Sequence, residues 1–302
     1  MIVARITAVL RALRARWDAH WYAPVPADRL DAFRQALLYS LVLYLVARFT
    51  HATEWLTAIG FHPSVAADRT HAPILPLLPP GMTVAFAALT FTALALAIFT
   101  RSPRLRRPAL AITLAAVIYV SLADPISAFT LNRLYVFTLL VLILTPAGAT
   151  ISAWPIRMLQ WTLVTHYFAS GLCKSLHGDW LQYSDVLWMQ IQGLYMTDAA
   201  AWLVRTLPNW AFPVQQHLAL GFELLAPLLL GVRRLRPLGI VMGIGLHLVV
   251  AITMYQLIYF SLQMIAFYTL FIDPGTLARW RRHKWIAPLY ASQTPDARTS
   301  TV

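Results

Sequence analysis

Charge is what this sequence has least of. Only 12% of its 302 residues are Asp, Glu, Lys or Arg, against roughly 25% in a soluble domain. That deficit excludes a fold whose whole surface meets water. Cysteine is limited to Cys173, so no internal disulfide can form and no cysteine-rich metal site exists. Lysine is limited to Lys174 and Lys284 among 24 basic residues, and glutamate to Glu54 and Glu223. There is no internal repeat, no Gly-rich phosphate loop and no zinc-ligand spacing.

What the chain does have is hydrophobic residues, 59% of the total, for a mean hydropathy of +0.62. They come in long blocks rather than amphipathic stripes, and an uncharged block of about 18 residues can span a bilayer. Eight candidate spans follow: 34–51, 82–100, 107–124, 129–147, 154–175, 209–231, 237–253 and 256–273. The expected fold class is an all-α integral membrane protein of about eight transmembrane helices. The net charge of +12 would suggest nucleic acid, but its positions argue for topology instead. Arginines cluster before span 1 (including Arg29 and Arg34), then between spans 2 and 3, and between 6 and 7. Arg157 lies between spans 4 and 5, and another cluster follows span 8. The alternate connections show no basic excess. The positive-inside rule then puts both termini in the cytoplasm, as expected for a bacterial inner-membrane protein. An odd number of helices would break the alternation.

The expected organisation has three parts. Residues 1–30 form an amphipathic surface helix, in which Arg5, Arg11, Arg14 and Arg16 alternate with Ile2, Ile6, Val9, Leu10 and Leu13. That segment lacks the uninterrupted apolar core of a cleaved signal peptide. Residues 31–275 form the transmembrane domain, and 276–302 a basic, partly disordered cytoplasmic tail. Two long outer connections, 51–81 and 176–208, carry aromatics suited to the interface. Short interfacial or re-entrant helices are expected there.

Ionisable groups inside the spans are costly, and usually face a cavity, a partner or a substrate path. In span 5, Thr162, His166, Ser170 and Lys174 recur at i+4 and align in one polar stripe. Lys174 is at its outer end. Arginine stays charged, whereas a desolvated lysine can lose its proton and act as a base; the plain alternative is a lysine snorkelling to the interface. His166, Glu223 and His247 fall at similar depth and are expected to face a shared polar interior. Three arrangements are open to them: a metal set with free positions, a hydrogen-bonded pair locking helices together, or a proton-sharing His–Glu pair. The expectation is no metal. Span 4 opens with Asn132 and Arg133, where the arginine could bind an anionic head group or carboxylate, or pair with Asp124. Arg48 and His51 read as snorkelling side chains. Gln256, Tyr259 and Gln263 share one face of span 8, as packing or as site residues.

These stretches, taken in order, resemble a family. YFASGLCKSLHGDW resembles a segment of the HTTM superfamily, which includes the vitamin K-dependent gamma-carboxylases. RLDAFRQALLYSL and EWLTAIGFHPS resemble the family's opening helix, and DPISAFTLNRLYVFTLL its Asn-containing fourth span. FELLAPLLLGVRRLRPLGIVMGIGLHLVV and MYQLIYFSLQMIAFYTLFIDP resemble its Glu, basic turn, His and Phe-Ser ending. The resemblance runs over roughly residues 28–275. It implies that Lys174 matches the lysine that deprotonates vitamin K hydroquinone in the carboxylases, and that Asn132 matches their span-4 Asn. They follow that Asn with His where this chain has Arg133, and the expectation is a short member without their luminal β-rich domain.

Two function classes result. The first is an enzyme with an intramembrane cavity for a quinone, hydroquinone or lipid-like substrate. Lys174 and His166 would be its catalytic residues, Lys174 as general base, and Asn132, Arg133, Tyr135, Glu223 and His247 would line the substrate. The second is a non-enzymatic membrane maturation, immunity or binding factor for a peptide or protein partner. A transporter would favour helices broken near the midplane, and Pro and Gly are not placed that way.

Overall fold

The computed structural model describes residues 2–100, 102–127 and 130–281. Among these the chain is almost entirely helical. In order come α1 (Ile2–Tyr22), β1 (Pro24–Pro26), α2 (Asp28–Phe49), α3 (Ala52–Leu56), α4 (Thr83–Phe99), α5 (Pro103–Ala123), α6 (Thr130–Leu144) and β2 (Thr150–Ser152). Then follow α7 (Trp154–His177), α8 (Val186–Ile191), α9 (Asp198–Thr206), α10 (Ala211–Gly231), α11 (Arg236–Thr253), α12 (Leu257–Phe267) and α13 (Pro274–Arg281). Short 3-10 turns stand at Pro80–Met82, Pro125–Ser127 and Tyr268–Phe271.

A helix occupies each of the eight expected spans. Among the described residues, four helical stretches are both long and apolar enough to cross a membrane: Asp28–Phe49, Pro80–Phe99, Pro103–Ala123 and Arg236–Thr253. Helix α7 has 24 residues and α10 has 21, enough for about 30 Å of hydrocarbon at about 1.5 Å per residue. Their polar residues lower their mean hydropathy. Those same polar residues build the site described below.

The N-terminal boundaries differ from expectation. The basic helix ends at Tyr22, and α2 begins at Asp28 rather than at residue 34. Pro24 and Pro26 interrupt the helix and pair as strand β1 with β2. Asp28 and Asp31 occupy the first turn of α2, where the helix dipole favours acid. On α1, Ile6, Leu10, Leu13 and Trp17 are all exposed and stand at i, i+4, i+7 and i+11. Of the tail expected at 276–302, Thr276–Arg281 belong to α13, and the rest lies outside the described residues.

The chain divides into two compact units, residues 1–155 with 272–302, and residues 156–271. In the first, α2 is central and buries residues around much of its circumference. Arg34, counted with the basic cluster before span 1, is buried. Its Nη1 donates to the Ala97 carbonyl at 2.9 Å, while Gln35 Nε2 donates to Ile98 O at 3.1 Å. Both carbonyls belong to the last turn of α4, where an α-helix has no internal donors left and a cation complements the dipole.

Further along α2, Ser40 Oγ and Tyr135 OH lie 2.9 Å apart, and Tyr44 OH donates to Asn132 Oδ1 at 2.9 Å. Asn132 Nδ2 donates to Ser121 Oγ at 2.9 Å, which joins α6 to α5. Arg48 does not snorkel. Its Nη2 lies 2.7 Å from Asp124 Oδ2 and its guanidinium stacks 4.5 Å from the Trp55 ring centroid. Asp124 is thus the partner of Arg48 rather than of Arg133. Below this pair, Leu56, Val120 and Ala123 form a small apolar core packed by Phe49, Trp55, Phe86 and Tyr119. Asp124→Ala leaves Arg48 part-buried without its carboxylate, and a cost of about 2 kcal/mol in detergent-unfolding experiments is expected. An unchanged midpoint would contradict the assigned role of the pair.

In the second unit, short helices α8 and α9 take up the connection 176–208, where short helices were expected. Gln216, fully buried on α10, organises it. Its Nε2 donates to the carbonyls of Trp180 and Tyr183, at 2.8 and 2.7 Å, and its Oε1 accepts from Leu187 N at 3.0 Å. Thr197 caps α9 through its hydroxyl and also donates to Ile252 O at 2.7 Å. Gln256 does not share a helix face with Gln263. It stands in a left-handed turn before α12 (φ 67°) and is exposed, while Gln263 is buried. In the connection 51–81 of the first unit, Asp68 accepts from His71 Nδ1 at 2.6 Å and from the Thr70 backbone. These bonds hold its carboxyl below the ordinary range.

Candidate functional site

Helix α7 sets the geometry. Tyr167, Gly171 and Lys174 stand at i, i+4 and i+7, on one side of an α-helix. Gly171 is buried, and a Cβ there would come within 3.0–3.2 Å of Glu223 Cβ and the backbone at Glu223 and Leu224. The missing side chain lets α7 and α10 approach closely, the usual role of small residues between membrane helices. One turn on, Lys174 reaches across the same crossing. Its Nζ lies 2.6 Å from Glu223 Oε1 and 4.5 Å from the Trp180 ring centroid. The carboxylate is 7% exposed and the lysine side chain 29%. Charge, hydrogen bond and ring thus converge on one ammonium, a combination that stabilises it against desolvation. The second carboxylate oxygen, Oε2, is buried and has no hydrogen-bond partner.

Beside the pair runs a chain of neutral donors and acceptors. Tyr167 OH lies 2.7 Å from His247 Nε2 and 2.7 Å from Tyr268 OH, joining α7, α11 and the turn after α12. Tyr268 reaches in because residue 243 is glycine. A Cβ there would overlap the Tyr268 hydroxyl and crowd the Phe222 ring. Phe222 packs edge-on against Tyr167 at 5.0 Å between centroids. Phe260 lies between the two imidazoles, 6.0 Å from His166 and 5.6 Å from His247. His247 Nδ1 is buried without a partner.

The expected residues therefore separate into distinct arrangements. Glu223 pairs with Lys174, not with a histidine. His247 bonds Tyr167. His166 is half-buried and meets Phe260 and Tyr167 through ring contacts. Thr162, His166, Ser170 and Lys174 are each half-buried, one continuous strip along α7. Among the described residues, no three His, Cys, Asp or Glu side chains are gathered so that they could hold a metal ion. Asn132 and Tyr135 belong to the other unit, where both are buried and hydrogen-bonded to Tyr44, Ser121 and Ser40. Arg133, between them, is exposed.

Tyr167, Tyr268 and Trp180 were not anticipated. The signal for Tyr167 was its spacing, four residues before Gly171 and seven before Lys174. Tyr268 lies in a 3-10 turn, where helical periodicity carries no information.

Comparison with known proteins finds the HTTM domain over residues 145–275. No curated protein and no solved structure matches. The matched region contains all of α7–α12 and therefore both the Lys174–Glu223 pair and the tyrosine–histidine chain. It begins after Asn132, Arg133 and Tyr135. Together with the long apolar helices, this makes the protein an integral membrane protein that carries an HTTM domain over residues 145–275.

Proposed function

We propose that this protein is a membrane enzyme resembling the vitamin K-dependent gamma-carboxylases in using an intramembrane lysine as its base. Its substrate would be a hydroquinone or another lipid-like molecule with an acidic hydroxyl. The observation that carries the reading is the part-buried Lys174–Glu223 pair at 2.6 Å. An ammonium and a carboxylate so placed can pass one proton along their hydrogen bond and become amine and carboxylic acid. The amine then accepts the proton of a substrate hydroxyl and becomes ammonium again, and Glu223 later gives its own proton to the product anion, so both groups end as they began. General-base chemistry needs a proton acceptor within hydrogen-bond reach of the reacting group, and the open Oε2 of Glu223 supplies a second acceptor. His166, half-buried on the same strip of α7, would position the substrate. A bound quinone would supply the redox chemistry.

The supporting architecture is eight spans with both termini in the cytoplasm of a bacterial inner membrane, and α1 lying on the membrane surface through its exposed Ile6, Leu10, Leu13 and Trp17. Reporter fusions at Arg104, Arg157, Arg234 and His283 are expected to report the cytoplasmic side. An outward signal at Arg104 or Arg234 would overturn this topology.

A second reading has its own support. Gln216, Tyr167 and the Lys174–Glu223 pair each join segments far apart in sequence, as packing glue would. In that case the protein is a non-enzymatic maturation, immunity or binding factor for a peptide or protein. Mass spectrometry of the purified protein separates the two. Co-purified quinone or quinol, lost in Lys174→Met, supports the enzyme; a protein partner with no lipid-like ligand supports the factor.

A further inference from the structure

A cleft of about 60 Å³ opens at the end of the first unit where α2 and α5 begin. Its walls include Arg34, Arg106 and Arg107, with Asp31, Thr145 and Gly148. Only Asp31 among the lining residues is acidic, and it is engaged at 3.5 Å by Arg34 Nη2. Three guanidiniums against one carboxylate leave an excess of two positive charges in a confined space. Arg34 is 4% exposed and its Nε has no partner. Arg107 Nη2 reaches the Thr145 carbonyl at 3.2 Å, and among the described residues no carboxylate pairs with Arg106 or Arg107.

Helix α5 adds to the imbalance. Its first turn has no acidic residue, and Ser102 makes no side-chain cap. Instead Arg104, Arg106 and Arg107 crowd the positive end of its dipole, the reverse of the favoured arrangement. An anion in the cleft would relieve both like-charge crowding and the uncapped helix start. Arginine's planar fork suits phosphate in particular, and a cleft of this size admits a phosphate group but not an acyl chain. The strand pair β1–β2 and the bond from Ala27 N to Ala149 O at 2.9 Å hold the floor in place.

We infer that this cleft is a binding site for one phosphate group, either the headgroup phosphate of an anionic phospholipid or a free phosphate. It is independent of the Lys174 site. The test uses the full chain purified in detergent, with phosphatidylglycerol, phosphatidylcholine or inorganic phosphate added, read by native mass spectrometry and thermal unfolding. Wild type is expected to retain one phosphatidylglycerol in preference to phosphatidylcholine. Arg106→Gln/Arg107→Gln is expected to lose that retention at least about tenfold. Stabilisation of wild type by inorganic phosphate alone, absent in the double variant, would assign the same site to a soluble phosphate. Equal retention of phosphatidylglycerol by wild type and variant, or of both lipids by wild type without any phosphate effect, would overturn the inference. Arg107→Gln, on an exposed side chain, is the second variant should the double one unfold, with an expected loss of about threefold.

Discussion

Lys174→Ala is expected to destabilise the protein by about 3 kcal/mol, the cost of removing one partner from a buried ion pair. Its carboxylate partner is 7% exposed, with one oxygen already lacking a donor. Removing the ammonium would leave Glu223 with no donor at either oxygen. Glu223→Ala is expected to cost less, about 1–2 kcal/mol, because a lysine at the end of α7 can extend its long stem toward the interface. The double variant should then be less destabilised than the sum of the two, by about 1–3 kcal/mol. Unfolding of all four proteins in one detergent supplies the cycle. Simple additivity would mean that the two groups do not support one another, and the pair would lose its standing as the organising feature of the site.

Gly243→Ala is expected to cost about 3 kcal/mol, near the upper end of overpacking changes. The added methyl meets the Tyr268 hydroxyl, the end of the Tyr268 ring and the Phe222 ring. Tyr268 cannot withdraw without breaking its bond to Tyr167. Tyr268→Leu in the same chain should recover part of the loss by vacating the crowded volume, whereas Gly245→Ala, where a Cβ meets nothing within 4 Å, should be close to neutral. Equal effects at 243 and 245 would show that helix propensity, not the notch, decides the outcome.

These two sites show how far the sequence could be read. Long apolar blocks located the four helical stretches long and apolar enough to cross a membrane, because bilayer thickness and the cost of burying charge act on local composition. Lys174 stood out as one of two lysines in an arginine-rich chain. Its partner was not legible. Equal depth grouped Glu223 with His166 and His247, but depth is one coordinate, and the crossing of α7 and α10 at Gly171 depends on rotation about the helix axes. A lysine in a membrane needs a counter-ion, and Glu223 lies well inside α10, so the pairing could have been reached by that argument. The Arg48–Asp124 pair was missed for a related reason: Arg48 was read as snorkelling, and Asp124 was weighed only against Arg133. The start of α2 lies before the apolar block because the fold uses Asp28 and Asp31 in its first turn and Arg34 to bond the last turn of α4.

The proposed chemistry requires Lys174 to act as a base and not merely as a charge. Lys174→Arg tests it most directly, since arginine keeps the positive charge but does not deprotonate in proteins. The variant is expected to insert at wild-type levels and to bind the same membrane ligand. It should nevertheless fail to restore the phenotype of a deletion strain. Full restoration by Lys174→Arg would contradict the account and leave Lys174 as a cation that anchors α7 to Glu223.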